Sequence, residues 1–320
     1  MATEQDVILG VDIGGTKCAV CIGNTRGEVL HRLSEPTDGA NRSPEAVMNS
    51  LADKGKTLIA TVGAASVIGV GVSCGGPLDT TTGIIYAPPN LPEWKAVPVR
   101  SLLEDALQLP VRVENDANAT ALAEWKFGAG IGTQNMVFMT MGTGIGGGII
   151  ADGRLIHGRN DLAGELGHQT ILIDGPLCGC GKRGCLEALA SGPSIERSAR
   201  ESDLPGREKR VLHLAGGDLN KITAAHIVQA AIEGDEFANA ILQRAGRYMG
   251  IGIANIIQML NPERVILGTI AVHAGDLILE PIRKAVSEFA WKRSAEVCSI
   301  VPAALGDRAQ DLAAIALWLQ

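Results

Sequence analysis

Three observations predict an α/β fold built from two sheet-bearing halves. The chain has 320 residues, more than one hydrophobic core usually serves, so two domains are expected. A unit of strand, glycine-rich bend and strand opens the sequence near Val7 and returns near Met136. After each opening, helical and strand patterns alternate, which gives a mixed sheet covered by helices.

The elements follow in order. Val7 to Val11 is a β-branched apolar run ending at Asp12. Gly14-Gly15-Thr16-Lys17 makes a bend, and Cys18 to Ile22 returns as a second strand. Glu28 to Leu33 reads as a third strand, Pro44 to Thr61 as a helix, and Val67 to Ser73 as a fourth strand. Ser101 to Leu107 is a short helix closed by Pro110, followed by a strand from Val111 to Glu114. The second set has strands at Met136 to Met141, at Gly146 to Ala151 and near Leu155, then helices at 191–201, 223–232 and 236–260. Strands at 264–267 and 297–301 enclose a helix at 277–289, and Arg308 to Leu319 ends the chain as a helix. Gly246, Gly250 and Gly252 in the long helix imply close helix packing or a subunit interface.

Composition narrows the function classes. With 46% hydrophobic and 20% charged residues, the chain can bury an ample core. Aromatics at 3% and a net charge of -7 disfavour nucleic acid, which asks for stacking platforms and basic surface. The first strand pattern starts at Val7, leaving no room before it for a DNA-reading helix pair. There is no cationic, apolar leader and no apolar run of membrane-spanning length, so a cytoplasmic location is expected. Seven cysteines, an odd number, fit reduced thiols and a metal better than a disulfide framework.

The two glycine bends suit phosphate. In Asp12-Ile13-Gly14-Gly15-Thr16-Lys17 a carboxylate ends a strand, bare backbone N–H groups follow, and a hydroxyl and a cation close the turn. Met141-Gly142-Thr143-Gly144-Ile145-Gly146-Gly147-Gly148 repeats the device with five glycines in seven positions. Each bend alone reads as an ordinary β-turn; as a pair heading two halves, they favour a phosphate clamp across a cleft. Between them, Glu114-Asn115-Asp116-Ala117-Asn118 ends a strand and begins a helix. Asn115 or Asp116 can simply cap that helix, yet an aspartate at a strand's carboxyl end can also take a proton from an attacking hydroxyl.

A metal site is expected beside them. His168 with Cys178, Cys180 and Cys185 supplies one imidazole and three thiolates, a closed tetrahedral zinc shell, and Gly179, Gly181 and Gly184 permit the tight turns this needs. Closed shells are structural, so this zinc would hold the loops carrying Glu165 and Glu187 and take no part in chemistry. Cys18 and Cys21 also form a C-x-x-C, but they lie in a strand without partner ligands and read as buried thiols.

This ordered set resembles the ROK family of sugar kinases, within the actin-like ATPase superfamily, along nearly the whole chain. The resemblance implies a ribonuclease H-like fold of two α/β domains around a hinged cleft. The expected division is 1–114, with a helix at 306–320 packing back on it, and 115–305 with the zinc loop. It implies that Asp116 is the base acting on a hexose hydroxyl, usually the 6-hydroxyl, and that Asn115, Glu165, His168, Glu187, Gly76 and Asn90 contact the sugar. It further implies ATP held by Gly14, Gly15, Thr16 and Lys17 and by Gly142, Thr143 and Gly144, with Asp12 ordering Mg2+ through water. Gly268, in Gly268-Thr269-Ile270, stands by the adenine where many members have a glycine pair, a departure that bears on the nucleotide. The partners implied are a hexose and ATP, and a homodimer is common in the family.

The resemblance implies a choice of sugar as well. Tyr86 to Trp94, with Pro89-Asn90-Leu91-Pro92, is similar to bacterial glucokinases and makes glucose the first expectation. Ile171 to Cys185 with Glu187-Ala188 is also similar to N-acetylmannosamine kinases, so an N-acetylhexosamine such as N-acetylmannosamine or N-acetylglucosamine is the second. A sugar-responsive repressor without catalysis is the third, since such regulators share the zinc motif.

Overall fold

The computed structural model describes residues 6–201 and 209–320. Its first half is a five-stranded sheet formed by β1 (Val7–Ile13), β2 (Lys17–Asn24), β3 (Val29–Pro36), β4 (Val67–Cys74) and β8 (Val111–Asn115), in the order β3-β2-β1-β4-β8. β1 and β2 pair antiparallel, as do β2 and β3, while β4 and β8 join in parallel. Parallel strands need crossovers: α1 (Pro44–Val62) precedes β4, and α2 (Val99–Leu107) precedes β8. A small sheet of two-residue strands, β5 (Leu78–Asp79), β6 (Ile84–Ile85) and β7 (Val97–Pro98), stands in the second crossover.

The second half follows α3 (Asp116–Phe127) with β9 (Met136–Met139), β10 (Gly147–Ala151), β11 (Arg154–Leu155), β12 (Arg264–Leu267) and β13 (Ser299–Pro302). Their order is β11-β10-β9-β12-β13, the first sheet's pattern repeated with the same antiparallel and parallel pairings. Between β11 and β12 lie α4 (Leu186–Ala190), α5 (Gly192–Arg200), α6 (Lys209–Leu214), α7 (Ala224–Ile232) and α8 (Glu236–Leu260). α9 (Ile270–Ala274), α10 (Asp276–Phe289) and α11 (Lys292–Ala295) follow β12, and α12 (Ala309–Ala316) closes the chain.

Alternation along β1 explains the layering. Leu9, Val11 and Ile13 join the core with Val47, Met48 and Leu51 of α1, whereas Ile8 faces Leu312 and Ile315 of α12. Gly71 brings α12 close, because a Cβ there would strike the Ala314 carbonyl. Ala119 and Leu122 of α3 share this middle layer with Phe138 and Ile150 of the second sheet. The fully buried Glu124 ties the layer together, accepting the Ala129 and Leu305 N–H groups at 2.8 and 3.0 Å. On the far face of the second sheet, Gly250 of α8 lets Ile282 and Ala285 of α10 approach directly. Gly246 does the same against Ile278 and Pro281, so these glycines serve helix packing within the chain.

Some element limits differ from the sequence reading. β9 stops at Met139 and β10 starts at Gly147 because the glycine bend takes Thr140 to Gly146 out of the ladder. The last helix is shorter, a 3-10 turn at Gly306–Arg308 preceding Ala309–Ala316. The helix expected at 191–201 is α5, and the short α4, which the sequence reading lacks, precedes it with Ser191 between them. Among the described residues, no helix is long and apolar enough to cross a membrane.

Candidate active site

The site is assembled from strand ends and loops. At the end of β1, the Gly14 N–H donates to the Lys17 carbonyl at 3.1 Å and closes the first bend. The Thr37 hydroxyl donates to the Gly14 carbonyl at 2.6 Å and lies 3.2 Å from the Cys18 sulfur, so the turn is braced from below. Asp12, Gly14, Gly15, Thr16 and Lys17 line a cavity of about 240 Å³ together with Arg32 and Gln310. Burial first, and then the negative charges of Asp116 and Asp311, raise the Asp12 pKa to about 7, against the pull of Arg32. A carboxylate so placed favours a cation beside it. Gly15 is needed for a close approach, since a Cβ there would strike Asn90. The loop carrying Asn90 therefore lies directly on the first bend.

Asn115 takes the capping role at α3. Its Oδ1 accepts the Ala117 and Asn118 N–H groups at 2.9 and 3.3 Å, which leaves its amide nitrogen facing Gly76, 3.2 Å from where a Cβ would stand. Asp116 follows as the first helical residue, with Oδ1 accepting from the Ala117 N–H at 2.8 Å. Its other oxygen points toward Gly75. The side chain keeps an edge open to solvent while protein crowds it on most sides. That loss of water raises its pKa, and the backbone N–H of Ala117 offsets only part of the rise.

The second bend is held from the side of Glu187. Glu187 Oε2 accepts the Ile145 N–H at 2.9 Å, the Thr140 hydroxyl accepts the Gly146 N–H at 2.9 Å, and the Gly192 N–H donates to the Gly142 carbonyl at 2.8 Å. The Thr269 methyl lies 3.4 Å from where a Cβ of Gly142 would be, and Gly268 donates to the Met139 carbonyl at 2.9 Å. Gly142, Gly144 and Gly268 are thus brought together, with Thr143 between the first two. The loop bearing Glu165 and His168 is laid on β10 by bare backbone: side chains at Gly164 or Gly167 would strike the Gly147 or Ile145 carbonyls.

His168 joins the two clusters. Its Nε2 faces Glu165 at 3.7 Å, and its Nδ1 faces the Cys178 sulfur at 3.7 Å. The Cys180 and Cys185 sulfurs stand 3.7 Å apart, and the four donor atoms lie within 4.8 Å of one another. Sulfurs about 2.3 Å from a tetrahedral zinc are separated by roughly 3.8 Å, so the donor set fits that ion. Burial pushes the Cys185 thiol up to about 12 and raises Cys178, while a backbone N–H from Lys182 lowers Cys180. A cation at the centre would reverse the first two shifts.

One pair escaped the sequence reading. His157, which nothing in the sequence marks out, has Nε2 2.7 Å from Glu114 Oε2, and that carboxylate is buried. The hydrogen bond to Glu114 is the largest cause raising the His157 pKa, ahead of the opposing burial. The partners are 43 residues apart and belong to different halves, and no local pattern announces such a pair.

The model of the ROK family matches residues 8–320. The chain belongs to the ROK family. A glucokinase from Halalkalibacterium halodurans is 37% identical over 303 residues, covering 94% of this chain and 91% of that protein. A crystal structure of a ROK family glucokinase from Streptomyces griseus, in complex with glucose and AMPPNP, is 33% identical with a TM-score of 0.79, covering 97% of this chain and 98% of that one. A xylose repressor from Caldicellulosiruptor bescii is 32% identical and covers 99% of this chain and 79% of that protein. The ROK chain therefore has the α/β, actin-like ATPase fold, and its relatives include both kinases and regulators.

Proposed function

We propose that the protein is an ATP-dependent hexokinase that phosphorylates the 6-hydroxyl of glucose. The position of Asp116 carries this reading. Its carboxylate heads α3 beside Gly75 and Gly76, is close enough to Asp12 to raise that group's pKa, and has no cation paired with it among the described residues. A proton acceptor is thereby held next to a carboxylate that calls for magnesium.

In the proposed reaction the sugar oxygen bonds to the γ-phosphorus while the bond from that phosphorus to the bridging oxygen of ADP breaks. The hydroxyl proton passes to Asp116. Asn115, with its amide nitrogen turned toward Gly76, holds a neighbouring hydroxyl, and Asn90, Glu165, His168 and Glu187 hold the others. Gly14 to Lys17 and Gly142 to Gly144 supply backbone donors to the phosphates, with Gly268 on the nucleotide side. Asp12 would hold magnesium, whose chemistry there would be to neutralise phosphate charge. Phosphoryl transfer needs little covalent help, so positioning and water exclusion dominate. His168, Cys178, Cys180 and Cys185 would hold a structural zinc, and the imidazole of His168 so oriented would turn its other nitrogen to the sugar. Residues 1–114 with 306–320, and 115–305, would move as the two bodies around the cleft.

The kinship with the halodurans and griseus glucokinases supports glucose over an N-acetylhexosamine. A coupled assay with ATP and magnesium across glucose, mannose, glucosamine, N-acetylglucosamine and N-acetylmannosamine tests the reading. Glucose is expected to show the highest kcat/KM. Absence of turnover on all five sugars would sink the kinase and favour a regulator.

A further inference from the structure

The segment from His157 to Asp161 is fastened at two points to the first half of the molecule. At one end, His157 Nε2 meets Glu114 Oε2 at 2.7 Å. At the other, Asp161 accepts from Thr80 twice, from its N–H at 2.9 Å and its hydroxyl at 3.0 Å. Thr80 follows β5, four residues after Gly76, and Glu165 comes four residues after Asp161. The Ala163 N–H donates back to the His157 carbonyl at 3.1 Å, which folds the segment into a closed loop. Asp161 adopts φ 60°, a conformation uncommon outside glycine, so the second fastening is held against a backbone preference.

Glu114 transmits the first fastening to the base. Its Oε1 accepts the Asn115 N–H at 2.9 Å and the Asn118 side-chain amide at 3.0 Å. Those residues flank Asp116 in sequence. Asn118 is buried and its Oδ1 is unpartnered, so the bond to Glu114 fixes the amide. Without His157, a buried carboxylate oxygen would lose its partner, and such a group reorients or draws in water.

We propose that His157, acting through Glu114, is a positioning residue for phosphoryl transfer, and that the 157–161 loop clasps the base-bearing turn to the sugar wall. This rests on the hexokinase reading. The charged groups facing His157 are Glu114 from the end of β8 and Asp161 from its own loop, both anionic, and both raise its pKa above the ordinary 6.5. The sign follows: the charged clasp is complete below that ordinary value and is lost as pH rises through the higher folded value. Neutral imidazole still donates to Glu114, so the loss is partial.

The test uses the full chain. His157→Leu is expected to lower kcat on glucose about tenfold or more while the KM for ATP changes by less than about threefold. His157→Gln, which keeps a donor without the charge, should restore most of kcat and flatten the alkaline limb of its pH profile. A pair that merely stabilises the fold would lower the melting temperature of both variants and leave kcat and the profile unchanged, and that outcome overturns the proposal. Calorimetry with glucose alone reads the clasp without turnover, because the loop runs directly into Glu165; weaker binding is expected in His157→Leu. If the wild-type protein binds glucose but transfers no phosphate, the kinase reading fails, while weaker glucose binding by His157→Leu still supports the clasp. Unchanged glucose affinity in His157→Leu overturns it.

Discussion

In the first sheet, β1 carries Asp12 near its end and β8 ends at Asn115, with only β4 between them; in the second, the corresponding strands β9 and β13 end at Met139 and Pro302. Both sheets place a glycine hairpin after their first strand, and the proposed reading gives phosphate to both. Only the first adds carboxylates at strand ends. The second instead carries Glu165, His168 and Glu187 in or just after the long excursion that follows β11. In the proposed reading the duplicated frame separates two tasks: the strand ends of the first sheet, with the turn from β8 into α3, hold the cation site and the proton acceptor, and the excursion after β11 adds Glu165, His168 and Glu187 to the sugar contacts.

Asp116→Asn strikes the first task hardest. It removes the proton acceptor while preserving shape, so kcat should fall by about 10²–10⁴ while calorimetric glucose affinity is largely kept. Because only the deprotonated form accepts a proton, the raised pKa of Asp116 should move the acid limb of the wild-type kcat/KM profile to higher pH than an ordinary aspartate would give. A mutant with most of its activity would move the base elsewhere and dissolve the contrast between the halves.

The proposed reading makes the second task depend on the cluster of His168, Cys178, Cys180 and Cys185. Cys180→Ser should reduce bound zinc from about one per chain and weaken glucose binding more than it lowers kcat at saturating sugar. Metal analysis and steady-state kinetics measure both. If zinc is absent from the wild-type protein and sugar affinity is unaffected by the change, His168 needs no ion to orient it. The recognition half would then stand on protein contacts alone.

These tasks were not equally legible in the sequence. The glycine bends, the polar run from Glu114 to Asn118 and the cysteine cluster declare themselves because their chemistry depends on neighbours only a few residues away. Strands β5 to β7 do not, since two-residue strands carry no periodicity. The choice between Asn115 and Asp116 as cap needed geometry: either residue suits the position, and only the structure gives the Ala117 and Asn118 N–H bonds to Asn115. The His157 to Glu114 pair was hidden for another reason. It is created by the docking of one half on the other, so neither residue's surroundings announce it.

The smallest expected effect lies on the nucleotide side of the second half, at Thr269. This residue has φ 57° and ψ -110°, a region that a β-branched side chain enters at a cost of roughly 1–3 kcal/mol. Glycine occupies such a conformation freely. Thr269→Gly removes the strain but adds freedom to the unfolded chain, costing about 0.5–1 kcal/mol, and it also loses the methyl contact opposite Gly142. Strain should outweigh the other two, giving a net gain of about 1 kcal/mol and a melting temperature higher by about 2 °C. Calorimetric unfolding of the two proteins decides it. A lower melting temperature would mean that the Thr269 side chain supports the second glycine bend by more than its backbone conformation costs, making that bend, like the first one on Thr37, dependent on a threonine beneath it.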